Sequence, residues 1–188
     1  MRRPHSIPQR TRIYVGCEGK SEEAYIALVR DICLQHRIAI HIEIDNLHPE
    51  GDPRARVEAA LRRSGHKQRN REPFAARYIL LDADQLALDN DRATQATNLA
   101  ARTGIQLIWQ RPCHEALLLR HLQGHSKDQP GNTQRAKAAL KKEWPEYDSP
   151  MEKRDLVKRI DFDALGRANQ VEPDLMAFLS NAGLIFPD

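Results

Sequence analysis

Three acidic residues stand where short apolar runs end. Glu18 follows Arg12-Ile13-Tyr14-Val15-Gly16-Cys17, and Asp82 and Asp84 follow Ala76-Arg77-Tyr78-Ile79-Leu80-Leu81. In Asp82-Ala83-Asp84 the period of an extended chain puts both carboxylates on one side. A lone D-x-D is common in turns, so Asp82 and Asp84 alone would pass for turn formers. A glutamate after one strand and a D-x-D after another is more specific, because it gathers three negative charges at one sheet edge. Such a group repels itself unless protons or a cation neutralise it. Hard carboxylate oxygens at this density suit Mg²⁺ or Mn²⁺.

Positions 18 and 82 meet only if the elements between them form a suitable scaffold. Ser21 suits the N-cap of a helix with Tyr25, Leu28, Val29 and Ile32 at helical spacing. Ile38-Ala39-Ile40-His41-Ile42-Glu43-Ile44 alternates at period two and reads as a strand with one wetter face. A basic helix is expected over 53–68 with Pro53 at its start. The unbroken apolar run before Asp82 suits a buried central strand. A helix over 89–103, a strand Ile105-Gln106-Leu107-Ile108-Trp109 and a nearly all-apolar helix opened by Pro112 follow. Strands alternating with helices predict an α/β fold with a mostly parallel, doubly wound sheet, in which ligands bind outside the carboxyl ends of the strands.

After His121 the texture changes. Residues 124–131 are polar and breaker-rich, no strand follows, and helices are expected at 133–143, 151–160 and 173–182. The expected organisation is a core over residues 11–123 and a helical C-terminal extension over 124–188. No internal repeat is present.

Composition narrows the classes. With 188 residues, 40% hydrophobic and 29% charged, the chain belongs with globular proteins. No apolar run approaches the about 18 residues of a membrane span. The basic start, Met1-Arg2-Arg3-Pro4-His5-Ser6, leads into no apolar stretch, so a cytoplasmic rather than secreted protein is expected, with no membrane contact. Cys17, Cys33 and Cys113 are an odd number without a C-x-x-C pair, which excludes a disulfide framework or a four-cysteine zinc site within the chain. The net charge of +3 is unevenly spread. Arg54, Arg56, Arg62, Arg63, Lys67, Arg69 and Arg71 face one acid, Glu58, in their stretch, and Arg2, Arg3, Arg10 and Arg12 add to the start. Such a stripe suits the phosphates of nucleic acid, or simply a solvated helix face.

Three stretches carry a resemblance: Cys17-Glu18-Gly19-Lys20-Ser21-Glu22-Glu23-Ala24-Tyr25, then Leu81-Asp82-Ala83-Asp84-Gln85, then Arg111-Pro112-Cys113-His114-Glu115-Ala116-Leu117-Leu118-Leu119-Arg120-His121. Together they resemble the Toprim domain of topoisomerases, primases and overcoming-lysogenization-defect nucleases, and more narrowly the RloB-like family. The family pattern carries C-E-G-x-[ST]-E-x-x-Y and P-C-F-E-x-W-L-L-x-H; here His114 stands for the usual aromatic and Ala116 sits where an aromatic is common. The resemblance spans roughly residues 12 to 121.

The resemblance implies a Toprim-like, Rossmann-like fold and a metal-dependent nuclease, in a phage-defence or restriction-linked locus, working beside an ABC-type ATPase. Carried over by position, Asp82 and Asp84 would hold Mg²⁺ or Mn²⁺, and Glu18 would ligate a metal or act as general acid or base. Glu22 and Glu115 would complete a second metal position, and Lys20 would meet charge developing on the phosphate. Plainer roles stand beside these. Glu22, Glu23 and Glu115 suit the first turn of a helix electrostatically; Tyr25, Cys17 and Cys113 suit a core; His114 and His121 need no function, and His121 suits a helix end.

Rival readings differ in class. Gly19-Lys20-Ser21 after a strand looks like the end of a P-loop, a nucleotide-binding motif, but G-x-x-x-x-G-K-[ST] needs glycine where Tyr14 stands. A nucleotide-sugar glycosyltransferase explains D-x-D but not E-G-K-S-E. A non-catalytic nucleic-acid-binding or regulatory subunit of an ATPase complex keeps the fold without turnover. Topoisomerase and primase activities lack room for the modules they need.

Overall fold

The computed structural model describes residues 10–48, 51–84 and 90–186. Arg2, Arg3, Gln85 and position 89 lie outside them. Four strands, β1 (Thr11–Cys17), β2 (Ile40–Asn46), β3 (Ala76–Asp82) and β4 (Gln106–Gln110), form one all-parallel sheet in the order β2-β1-β3-β4. Eight helices are described: α1 (Lys20–Gln35), α2 (Pro53–Lys67), α3 (Asn90–Thr103), α4 (His114–His121), α5 (Thr133–Glu143), α6 (Lys153–Leu156), α7 (Phe162–Asn169) and α8 (Pro173–Asn181). The fold is α/β and Rossmann-like, as the alternation of strands and helices predicts.

Strand periodicity sorts the two faces. Ile13, Val15 and Cys17 of β1 join Tyr78 and Leu80 of β3 in a buried cluster with Tyr25, Ile26 and Val29 of α1. Leu140, Leu165 and Phe178, from α5, α7 and α8, belong to the same cluster. Tyr14, Ile79 and Leu81 point the other way, to Val57 and Ala60 of α2 and Ala96 and Ala100 of α3. The segment after residue 123 is therefore fastened by core contact. Phe178 meets Tyr78 edge-on with ring centroids 5.0 Å apart, and burying a side chain of this kind stabilises by roughly 1.5–3 kcal/mol.

This strand order creates a crevice. β1 is flanked by β2 on one side and β3 on the other, with α1 packed on one face of the sheet and α2 on the other. The chain thus leaves the ends of β1 and β3 in opposite directions, opening the gap where such folds bind ligands. Register places Cys17 beside Asn46 and Leu80, and Asp82 beside Gln110, so Glu18 and Asp82 emerge at that gap. Gly16 has a local reason. A Cβ there would stand 2.7 Å from Leu47 Cδ1, so glycine lets Leu47 after β2 pack closely over β1, and a larger residue would force that side chain to shift.

Local details correct several expectations. α1 is capped by Gly19, not Ser21, because Glu22 Oε2 reaches back to accept the Gly19 N–H at 3.1 Å. The helix expected at 151–160 is one turn, Lys153–Leu156. The chain must leave it early because Asp161 caps α7, accepting the Ala164 N–H at 2.8 Å. α7 itself has no counterpart among the helices expected from the sequence. No described helix is long and apolar enough to cross a membrane.

Candidate active site

Glu18 turns toward β3. Its Oε2 accepts the backbone N–H of Asp82 at 3.1 Å, and Arg56 Nη2 lies 3.1 Å from its Oε1. The segment after Asp82 is laced to the end of β4, with the Ala83 N–H donating to the Gln110 carbonyl and the Asp84 N–H to the Pro112 carbonyl, each at 2.9 Å. Asp84 Oδ2 accepts the Thr133 hydroxyl at 2.7 Å. Glu18, Asp82 and Asp84, from distant parts of the chain, thus stand together at the switch point of the sheet.

Asp82 is the least satisfied of the three. Its Oδ1 is buried without a hydrogen-bond partner among the described residues. Burial first, then the charges of Glu22, Glu18, Asp84 and Glu115 in that order, push its carboxyl up to about 9. At neutral pH without a cation Asp82 therefore carries a proton.

Glu22 and Glu115 come from the first turns of α1 and α4, and both are buried. Glu22 Oε1 lies 4.0 Å from His114 Nδ1, while Glu115 Oε1 accepts the Tyr147 hydroxyl at 3.2 Å and lies 3.6 Å from Lys137 Nζ. With Asp82, Lys20, His114 and Lys137 these two acids line a cleft of about 550 Å³. Glu18 and Asp84 flank Asp82 outside that lining. Among the described residues no three His, Cys, Asp or Glu side chains form a ready-made metal cage. The donor set still fits a hard divalent cation. An orphaned carboxylate oxygen on Asp82, whose proton affinity four other acids raise, is a position that a cation would relieve.

Two histidines take different places. His121 is a core residue: it bonds the Leu117 carbonyl through Nδ1 at 2.8 Å and the Tyr25 hydroxyl through Nε2 at 3.1 Å, and burial holds it down to about 4. His114 lines the cleft, 3% exposed, with Nδ1 2.7 Å from the Gln110 side-chain nitrogen and Nε2 buried without a partner. Burial pushes the Cys17 thiol well up and the Cys113 thiol up to about 12, so both are inert packing groups.

The basic stretch divides. Arg54, Arg62, Arg69 and Arg71 are exposed, although Arg54 is engaged by Glu58 and Gln95, and Arg71 lies 3.8 Å from Glu43. Arg63 donates to the Asn46 carbonyl and Lys67 pairs with Asp45 at 2.6 Å, which ties both to the end of β2. Arg56 points inward to Glu18 with only 8% of its side chain exposed. The basic run of α2 and the residues just after it is thus split between exposed side chains and side chains tied into the fold.

Sequence reasoning does not reach Arg56 as the partner of Glu18, or Thr133, Lys137 and Tyr147 as contacts of Asp84 and Glu115. Thr133 opens a helix whose cap is readable, since Asn132 accepts the Arg135 N–H at 2.9 Å. What that helix faces is not readable. Searches of curated proteins and of solved structures gave no match. The family model described as RloB-like protein matches residues 13–177, past the carboxylate stretches and into α8. The match takes in the helices that carry Thr133 and Lys137 as well as the strands that carry Glu18 and Asp82, and the chain belongs to the RloB-like family.

Proposed function

We propose that this protein hydrolyses phosphodiester bonds in nucleic acid, using Mg²⁺ or Mn²⁺ at the β1–β3 edge. The observation that supports this most is Asp82, a buried carboxyl with an orphaned oxygen that four neighbouring acids load with negative charge. Among the described residues no side chain bonds that oxygen, and perturbed groups of this kind gather at functional sites. Asp82 and Asp84 would hold the ion, with Glu22 and Glu115 offering a second position. When bound, a divalent ion stabilises charge on the phosphoryl oxygens and helps water act as a nucleophile near neutral pH.

The chain's own groups carry the remaining steps. Glu18, held by the Asp82 N–H and Arg56, would orient the attacking water and accept its proton as oxygen bonds to phosphorus. The leaving oxygen departs with the electron pair of the broken P–O bond and is protonated from solvent. Lys20, exposed at the first position of α1, offsets charge on the phosphate together with the helix terminus. The exposed arginines of α2 hold neighbouring phosphates.

The decisive experiment replaces Asp82→Asn and Asp84→Asn separately. Each should lose Mn²⁺-dependent cleavage of single-stranded and duplex DNA and RNA while keeping the wild-type circular dichroism spectrum. Full cleavage in both variants would remove the mechanism. A second reading rests on a specific observation: Glu18 is already engaged by Arg56, and the acids form no ready-made cage among the described residues. On that reading the chain is a binding or regulatory subunit of an ABC-type ATPase, the partner that the family suggests. Cleavage assays on the chain alone and with that ATPase separate the two.

A further inference from the structure

The cleft beside Asp82 is poor in positive charge for a pocket that receives a polyanion. Glu22, Asp82 and Glu115 line it, and the lysines that line it among the described residues are Lys20 and Lys137. Lys137 comes from α5, outside the stretches that point to the carboxylates. Its ammonium lies 3.6 Å from Glu115 Oε1, yet its side chain is 56% exposed while that of Glu115 is 7% exposed. Glu115 also has a second, independent donor on the same oxygen, the Tyr147 hydroxyl at 3.2 Å. The lysine can therefore swing away on its flexible stem without leaving a buried carboxylate unpartnered.

We propose that Lys137 is a phosphate-binding residue that Glu115 holds in reserve, and that a divalent cation arriving at Glu115 releases it to a phosphate of the nucleic acid. The idea rests on the proposed function and deepens it by naming a substrate contact and its control. Without a cation, Lys137 is paired with Glu115 and the cleft repels phosphate. With one, Glu115 has a closer positive partner and Lys137 turns to the substrate. Cation and nucleic acid then each favour the binding of the other, because both draw on the same two-way choice of one side chain. A simple surface ion pair would give no such coupling.

The test measures binding of a fluorescein-labelled oligonucleotide, as DNA and as RNA, by anisotropy in EDTA and in Ca²⁺, with Mn²⁺ binding to the protein alone followed by calorimetry. Wild-type protein should bind the oligonucleotide about tenfold more tightly in Ca²⁺ than in EDTA, within the usual range for coupled sites. Lys137→Ala should lose most of that gain, and in Ca²⁺ its log–log salt dependence should flatten by about 0.7–0.9, the signature of one phosphate no longer neutralised. Lys137→Arg should keep both. Mn²⁺ alone should bind Lys137→Ala at least as tightly as wild type, because Glu115 is freed of a competing cation.

An unchanged Ca²⁺ gain and salt slope in Lys137→Ala would overturn the proposal while leaving wild-type cleavage, and so the proposed function, intact. Weaker Mn²⁺ binding in that variant would overturn it too, since the lysine would then merely support the site. Failure of the wild-type protein to bind either oligonucleotide under both conditions would overturn the proposed function and this inference together.

Discussion

Two buried ionisable groups in this molecule are treated in opposite ways. Arg120 on α4 sends Nη1 to Glu172, Nη2 to the Arg111 carbonyl at 2.8 Å and Nε to the Asp128 carbonyl at 2.9 Å. A charge faces a charge, and each nitrogen of the guanidinium has an acceptor. Asp82, at the tip of β3, has an oxygen with no partner and four acids around it. The first arrangement ties the chain beyond α4 to the core. The second lowers the stability of the fold, a cost that the proposed cation would relieve. A buried ionisable group whose partners are all present holds structure together; one that lacks them costs stability and is a candidate for ligand binding.

The sharpest way to break the contrast is to remove one partner at the satisfied site. Arg120→Ala should destabilise the protein by about 3–5 kcal/mol, the usual cost of stranding a buried charge, read as a lower urea midpoint. The same kind of change at Asp82 should do the reverse. Asp82→Asn should raise the melting temperature of the metal-free protein, by about 2–4 °C for each kcal/mol of the cost of keeping that carboxyl buried and protonated. If the asparagine variant melted lower than wild type, Asp82 would be structural and the contrast would fail.

The pH dependence of stability sharpens the same point. Asp82 is raised from 3.8 to about 9 in the fold, so between those values the folded state holds a proton that the unfolded chain gives up. The stabilisation from that proton is complete below 3.8 and is lost as pH rises toward 9. His121 has the opposite sign: lowered from 6.5 to about 4, it contributes stability above 6.5 that is lost as pH falls toward 4. Melting scans from pH 7 to 8 isolate the aspartate, because the buried thiols of Cys17, Cys33 and Cys113 begin to count only as pH nears their ordinary value of 9.0. Metal-free wild type should lose stability across that window, and Asp82→Asn should be flatter. Mn²⁺ at 100 times its Kd should stabilise wild type by about 2.7 kcal/mol and leave the asparagine variant unmoved.

The smallest effect is expected on the outer face of α2 and in the turn that follows it. Arg62→Ala with Arg69→Ala should change stability by less than about 0.5 kcal/mol. The same pair should flatten the salt dependence of nucleic-acid binding by about 0.9 for each phosphate that these arginines hold. Equal salt slopes in variant and wild type would leave these arginines no part in binding.

Much of the molecule is legible in the order of residue types. The period-two and unbroken apolar runs locate the four strands, and the alternation with helices requires parallel pairing and hence a common edge for Glu18 and Asp82. Legibility stops where a contact depends on how distant helices are laid against that edge. Arg56 reads as one more basic residue on a basic helix. Only packing of α2 against the sheet turns it toward Glu18. Thr133 and Lys137 sit in a stretch whose local pattern says helix and nothing about which acids it overlooks. His121 carries no mark in the sequence that tells a neutral core group from a ligand; the Tyr25 hydroxyl and full burial decide it. The helix α7 escapes a reading of the sequence although Asp161 is an ordinary cap, because the apolar positions after it are too few to show a period.

The helix α5 has a mechanical consequence. Its buried grip on the rest of the protein consists of Ala136 and Leu140, yet Thr133 touches Asp84 and Lys137 touches Glu115. Two side chains one turn apart on a single rod thus contact two acids that belong to different elements. A small tilt of that rod would retune both acids together, much as one key turned in a lock moves two bolts.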